Sequence, residues 1–497
     1  MCSEKNEIKF SILIPTKDRF DLLQYAVKSV LMQSYNNWEL VISDNCSKFD
    51  IETWIKNIND KRIKYVKQIM PLSVTENWNA ANEYAHGDYK IMLGDDDALL
   101  PNALQILAKK IAHYNYPDLL VFCAFIYLQP NVDPICTGGD LWESHPLAEY
   151  LEEQFLDIEE RQKIVSDCCQ FKRNFGYNMQ HYCYSRKIES SVKKYGNFYE
   201  SPYPDYYTAS IMIYIAERVL YIKDEITVIG VTPKSYGYYY RNNIEKEGMK
   251  FHKEANYREY APLSIKNKLC SIDEMTTAAA ATFALLAHRI EALNVNIINY
   301  YRIVIENQIK YIEKEQLQEV IKREMLPNIN KKEKTDLMQF FEYCCNENMV
   351  QKSKDRILGT KQIPYLNILQ IIKNFEEIKE EIKSDIKIFD INYWLRNIKW
   401  DIVRLKVEGK KIYIWGAYAR GKFIRQGLNK HQIIVDAYID SDMQKKEFDS
   451  CKVFNPKEIL RQKDVVIILA HLNMYQSVIN ALKENSFMST DGYLYTR

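Results

Sequence analysis

A chain of 497 residues is longer than one hydrophobic core normally organises, so two or three domains are expected. Lys+Arg 67 against Asp+Glu 66 excludes bulk electrostatic capture of nucleic acid or of an anionic membrane. The 11 cysteines include no C-x-x-C pair, which argues against a zinc site or a secreted disulfide framework and for a reducing cytosol. Met-Cys-Ser-Glu-Lys-Asn-Glu at the N-terminus has no apolar signal region. The longest apolar stretches, Leu119 to Leu128 and Ala278 to Ala287, are too short to span a bilayer. A cytoplasmic protein is expected, and a peripheral position at the inner face of the cell membrane is compatible with this.

From residue 8 the pattern alternates strand and helix. Ile8 to Ile14 is a β-rich run ended by Pro15-Thr16. Leu22, Leu23, Ala26, Val27, Val30 and Leu31 then share one helical face. Trp38 to Ser43 reads as a strand ending at Asp44-Asn45, Ile51 to Ile58 as a helix and Arg62 to Lys67 as a strand. The helix Thr75 to Ala85 leads to a strand, Tyr89 to Leu93, which stops at Gly94-Asp-Asp-Asp97. Units of this length predict a parallel sheet with helices on both faces. Ligands sit at the carboxyl ends of such strands, so Asp44 and Asp95 to Asp97 line one crevice. Adjacent carboxylates repel unless a cation shares them, and Mg²⁺ or Mn²⁺ prefers carboxylate oxygens. One Asp would suffice to cap the helix after Pro101, and three exceed that need. Asp44 taken alone reads equally well as a turn residue.

In Tyr199-Glu-Ser-Pro-Tyr-Pro-Asp-Tyr-Tyr-Thr-Ala209, two prolines hold the approach extended, and Asp205 opens the apolar helix Tyr206 to Ala216. On local chemistry alone Asp205 is a helix N-cap or first-turn acid. Histidines are few; His181 and His252 fall in or just after this region. Tyr236-Gly-Tyr-Tyr-Tyr-Arg241 suits packing, with sugar stacking as the alternative. From about 255 to 400 the pattern turns helical, as in Glu313 to Arg323 and Ile368 to Ile386, with no catalytic constellation; packing, self-association as a homo-oligomer and acceptor docking all fit it. Lys410-Lys-Ile-Tyr-Ile-Trp-Gly416-Ala-Tyr-Ala-Arg-Gly421 is then a strand opening into a helix through a Gly-rich turn. Strands Ile433 to Ile439, ending at Asp440-Ser-Asp442, and Val465 to Ala470 complete a small unit resembling a Rossmann dinucleotide fingerprint. Tyr418 stands where the middle glycine would let a pyrophosphate approach, which favours a structural or oligomerising module over a nucleotide site.

Phe10-Ser-Ile-Leu-Ile-Pro-Thr-Lys-Asp-Arg19, Trp38-Glu-Leu-Val-Ile-Ser-Asp-Asn45, Gly87-Asp-Tyr and the Asp run with its trailing Pro101 resemble the family 2 glycosyltransferases of the GT-A fold. The resemblance covers residues 8 to 235. It implies a GT-A nucleotide-diphospho-sugar transferase domain over 1–250; with the helical accessory region over 251–404 and the small Rossmann-like α/β domain over 405–497 read from the pattern above, the expected fold class is α/β. It further implies a nucleotide-diphosphate sugar donor, Mn²⁺ or Mg²⁺, inversion at the anomeric carbon, and a glycan or lipid-linked glycan acceptor of capsule or O-antigen type.

By the same resemblance Pro15, Thr16, Arg19 and Asn79 lie near the nucleotide, and Asp44 accepts a hydrogen bond from the base, usually uracil. Asp95 takes the ribose-facing role, and the metal ligand is Asp96 or Asp97. His252 is a further metal ligand in some relatives. The family commonly has an Asp where this chain has Gly94, and an Arg where it has Trp78. Tyr195-Gly-Asn-Phe-Tyr-Glu200 resembles the segment preceding the family's Glu-Asp pair, read here as Pro204-Asp205; Asp205 is then the catalytic base and Glu200 a secondary contributor. The competing reading is a nucleotide-binding scaffold that has lost activity, to which Gly94 and Tyr418 both point.

Overall fold

The computed structural model describes residues 7–130, 139–147, 152–241, 257–309, 311–346, 361–363 and 368–374, then 410–417, 419–430, 433–440, 444–459, 464–469 and 493–495, with Val132, Tyr150 and Gln462 as single positions. His252 and Tyr418, and most of the expected helix from 368 to 386, lie outside them.

The most apolar runs become strands buried on both faces, and the more polar run Ile63–Lys67 forms a half-buried strand beside them. β1 (Phe10–Thr16) pairs in parallel with β2 (Trp38–Asp44) on one side and β4 (Tyr89–Met92) on the other; β3 (Ile63–Lys67) extends the sheet beyond β2. Along β1 the side chains alternate. Ile12 and Ile14 meet α1 (Phe20–Leu31) and α4 (Ala103–His113), whereas Leu13 faces the opposite core with Val41 and Met92. Local chemistry fixes the helix ends. Asp50 accepts the Thr53 amide at 3.1 Å to start α2 (Ile51–Ile58), and left-handed Asn59 stops it. A capping box between Ser73 and Glu76 starts α3 (Val74–Glu83).

The sheet departs from the all-parallel expectation. Its order is β11-β7-β6-β9-β4-β1-β2-β3, with β5 (Ala98–Leu99), β8 (Gln154–Phe155) and β10 (Val219–Val231) attached off that path. β9 (Tyr182–Ser185) runs antiparallel between β4 and β6 (Leu119–Leu128), and β7 (Gly139–Ser144) runs antiparallel to β6. Tyr-Cys-Tyr-Ser is too short and too polar-tipped to announce a central strand; partners distant in sequence make it one.

The chain divides into two compact units, one of residues 1–334 with 360–382 and the other of 335–359 with 383–497. A boundary at 250 therefore does not separate compact bodies. Phe283 and Leu286 of α9 (Glu274–Arg289) share a core with α5 (Ile158–Cys169), α6 (Arg186–Val192) and α7 (Pro204–Ile215). The returning strand β11 (Lys361–Ile363) pairs with β7. In the second unit, β12 (Lys411–Trp415) is flanked in parallel by β13 (Ala437–Ile439) and β16 (Val465–Leu469), with α12 (Ala419–Lys430) between β12 and β13.

Arg161 on α5 is fully buried and closes the C-terminal end of α7, donating to the carbonyls of Ile213, Tyr214 and Ala216. The last carbonyls of a helix have no intrahelical donor, and a guanidinium supplies several at once. Arg161→Met leaves them unpaired in a dry core, so a loss of about 3 kcal/mol is expected. Urea unfolding checks it: an unchanged midpoint would show that water reaches these carbonyls.

Candidate active site

Strand register assembles the acidic turn. Thr16 is opposite Asp44 and Leu13 is opposite Met92, so three residues further on Asp95 is level with Thr16. The Thr16 hydroxyl donates to Asp95 Oδ2 at 2.8 Å, and Arg19 Nη1 donates to Asp95 Oδ1 at 3.0 Å. The same guanidinium nitrogen is 3.6 Å from Asp96 Oδ2. Burial pushes the Asp95 carboxyl up to about 6; Arg19 pulls it back and Asp96 raises it further. Burial opposes the charge on Arg19, but Asp95 and Asp96 outweigh it and hold the guanidinium firmly protonated.

Asp97 does different work. Its Oδ2 accepts the Gly94 amide at 2.7 Å and its Oδ1 accepts the Gly230 amide, from the end of β10, at 2.8 Å. It is 2% exposed, and burial first and Asp96 second raise its pKa well above the usual carboxylate range. Both oxygens thus accept a backbone amide, and Asp97 clamps the turn. Gly94 follows from the clamp: a Cβ there would lie 2.5 Å from Asp97 Oδ2 and 3.0 Å from Asp96 Oδ1. A Cβ on Gly230 would collide with the Asp96 carbonyl oxygen, so β10 can approach the turn only through glycine. Asp96 is left as the carboxylate on the open side, its Oδ2 accepting the Ser235 hydroxyl.

The other expected nucleotide contacts divide. Pro15 is half-buried at the carboxyl end of β1, beside Ser43. Asp44 is 0% exposed, accepting the Ser47 amide at 2.9 Å and the Tyr65 hydroxyl at 2.6 Å. A base reaching Asp44 must share or displace the Tyr65 hydroxyl. The Asn79 side-chain amide donates to the Tyr199 carbonyl at 2.8 Å and accepts the Tyr199 amide at 3.1 Å. It staples the segment leading to Asp205.

That segment is pinned from several sides. Thr75 holds the Ser201 carbonyl at 2.7 Å, Thr282 donates to the Ser201 hydroxyl at 3.0 Å, and Ser201 brackets Tyr203 through its backbone. Pro204 opens α7, with Tyr203 at the capping position and no side-chain cap bond. Asp205 is therefore a first-turn residue and not the cap. Its Oδ1 accepts the Tyr206 amide at 2.9 Å, and Oδ2 makes no hydrogen bond to a described residue. Burial pushes the carboxyl up to about 6, against the pull of the Tyr206 amide. Its charge is felt by two buried tyrosines, Tyr182 and Tyr203.

His181 is structural. Nδ1 meets the Phe122 carbonyl at 2.9 Å and Nε2 meets the Ser144 hydroxyl at 3.1 Å, and burial lowers its pKa to about 4. Glu200 is also committed elsewhere, pairing with Arg289 at 3.3 Å and accepting the Asn197 amide at 3.0 Å. The sequence did not single out Lys234 and Ser235, and it gave Tyr236 only as part of an aromatic run suited to packing or sugar stacking, not as a partner of Tyr203. The Lys234 carbonyl accepts from Arg19, and the Tyr236 hydroxyl is 2.6 Å from that of Tyr203. Their available signal was position, just past the carboxyl end of the long strand β10. Among the described residues no group of three or more His, Cys, Asp or Glu is arranged to hold a metal, and no helix is long and apolar enough to cross a membrane.

Residues 11–171 match the family model Glycosyl transferase family 2, so the first unit carries such a domain; the match ends before Asp205. Over 136 residues the chain is 35% identical to WcaA of Escherichia coli (strain K12), whose name assigns it to colanic acid biosynthesis; this covers 27% of the chain and 46% of WcaA. Over 118 residues it is 34% identical to the GalNAc(5)-diNAcBac-PP-undecaprenol beta-1,3-glucosyltransferase of Campylobacter jejuni, covering 23% of the chain and 38% of that protein. The chain thus spans less than half the length of these relatives. A crystal structure of S. aureus TarS 1-349 in complex with UDP-GlcNAc aligns with 68% of this chain and 92% of that one, at 13% identity and a TM-score of 0.39.

Proposed function

We propose that this chain is an inverting, metal-dependent glycosyltransferase that moves a sugar from a nucleotide-diphosphate donor, a UDP-sugar, to a hydroxyl of a growing surface glycan. The observation that carries the reading is a division of labour among the acids: Asp95 and Asp97 are buried, whereas Asp96 and Asp205 are half-buried. Asp96 stands on the open side of a clamped turn beside Arg19, while Asp205 stands apart on α7 with one oxygen free of any described partner. The relatives named for colanic acid biosynthesis and for an undecaprenol-diphosphate-linked glycan support a polysaccharide or lipid-linked acceptor.

The donor set suits a hard divalent cation. Three adjacent carboxylates leave negative charge that Arg19 offsets only in part, and Mg²⁺ or Mn²⁺ commonly takes one or two carboxylates plus substrate phosphates, so no three-acid cage is needed. Asp96 would hold it, and when bound it would offset charge developing on the leaving diphosphate. Arg19 adds a fixed positive charge at the same end. Asp205 takes the proton of the acceptor hydroxyl as that oxygen bonds the anomeric carbon and the bond to the diphosphate breaks on the opposite face. Gly94, which pointed toward an inactive scaffold, is accounted for by the Asp97 clamp. The C-terminal module is read as structural: Asp440, where a ribose-binding acid would stand, instead accepts the Ala417 amide of the Gly-rich turn at 3.1 Å.

Release of UDP from a panel of sugar nucleotides, with Mn²⁺ or Mg²⁺ and with chelator, tests the proposal. Metal-dependent release stimulated by a lipid-linked glycan is expected. Nucleotide binding without turnover of any donor would overturn it in favour of a scaffold.

A further inference from the structure

The turn after β10 touches both halves of the candidate site. Ser235 donates to Asp96 Oδ2 and the Lys234 carbonyl accepts from Arg19. The Lys234 ammonium pairs with Asp21 at 2.8 Å, holding the turn against α1. The next residue, Tyr236, points the other way: its hydroxyl lies 2.6 Å from that of Tyr203, and the two rings meet edge to face at 5.6 Å. Tyr203 precedes Pro204, whose ring fixes the backbone into α7, and Asp205 follows directly. A displacement of Tyr203 therefore has little slack in which to dissipate before it reaches Asp205.

We propose that Ser235 and Tyr236 are positioning residues that tie the Asp96 carboxylate and the Asp205-bearing start of α7 into one unit, so that the donor end and the base are held in mutual register. The proposal rests on the transferase reading above. A small register error is costly, since a misplacement of about 1 Å can lose on the order of 10²-fold in rate. The pair is also economical: Tyr203 is 7% exposed, and a buried hydroxyl without a partner is unfavourable, so Tyr236 both satisfies and aims it.

The experiment is the full-length chain with Tyr236→Phe, Ser235→Ala and the double variant, read by transfer kcat, donor KM, melting temperature and the pH profile of transfer. Tyr236→Phe keeps the ring contact and removes the tie. Its kcat should fall about ten-fold with donor KM within about two-fold. The acid limb of the profile should move toward the ordinary carboxylate range as the Asp205 pocket loosens. Ser235→Ala should act mainly on donor and metal half-saturation. The double variant should lose less than the product of the single losses, because both act through one turn. Unchanged kcat and profile in Tyr236→Phe, or losses that track melting temperature alone, would overturn the proposal. Asp205→Asn separates the two levels. If it abolishes transfer while Tyr236→Phe is normal, only the tie is wrong; if it transfers normally, the assignment of Asp205 as base fails; and if the unaltered chain turns over no donor, the transferase reading itself fails.

Discussion

Asp205→Asn is expected to lower sugar transfer by about 10²–10⁴-fold, the usual contribution of a general base, with donor KM nearly unchanged. The substitution keeps shape and retains an oxygen for the Tyr206 amide, while the proposed donor contacts sit on other elements, at Asp95, Asp96 and Arg19. Because burial sets the Asp205 pKa at about 6, transfer by the unaltered protein should rise through that pH and level off above it. The stability effect has the opposite sign. A carboxyl raised above its unfolded value contributes stability below that unfolded value and loses it as pH rises through the folded pKa. At neutral pH the ionised group therefore costs stability, and Asp205→Asn should melt at the same temperature or a few degrees higher. A lower melting temperature with transfer intact would make Asp205 a purely structural first-turn acid.

Asp96→Asn is expected to lose on the order of 10²-fold or more in turnover, since a preorganised charge clamp on a leaving diphosphate is worth several kcal/mol. Metal half-saturation should rise and the fold should persist, because Asp96 contributes no backbone clamp to the turn. Asp97→Asn should behave differently. Its amide nitrogen would have to face the Gly94 or the Gly230 N–H, donor against donor, at a buried position. A loss of about 1–3 kcal/mol in stability is expected, with activity falling as a consequence of turn disorder. Thermal melting and metal titration of both variants separate the roles. Equal stability for the two, with equal loss of metal dependence, would show that the carboxylates share the ligand role.

Much of the first domain was legible because its signals are local. Runs such as Phe10 to Ile14 and Trp38 to Ile42, short, rich in Ile, Leu and Val and bounded by turn residues, read as buried strands, and in an open α/β sheet an acid just past such a strand, as at Asp44 or Asp95, stands at the ligand edge. Caps at Asp50 and Ser73 are written within four residues. The antiparallel β9 and the docking of α9 were not legible, since each depends on partners far along the chain.

The sequence by itself determined the αβ alternation, the acidic turn at 95–97, and Asp205 at the head of an apolar helix. Each depends on residue types within one or two turns of chain. Tertiary structure alone decided which polar side chains are committed to other groups of the chain. Asp97 is spent on an amide 133 residues away, Asn79 on a backbone group 120 residues away, and Asp44 on the hydroxyl of Tyr65. A carboxylate's availability is set by the donors that reach it first, and those donors come from strands and turns brought together only by folding. Asp96 faces the open side because Gly94 and Gly230 let the turn close on Asp97, and Asp205 falls in the first turn, not at the cap, because Pro204 starts the helix one residue before it.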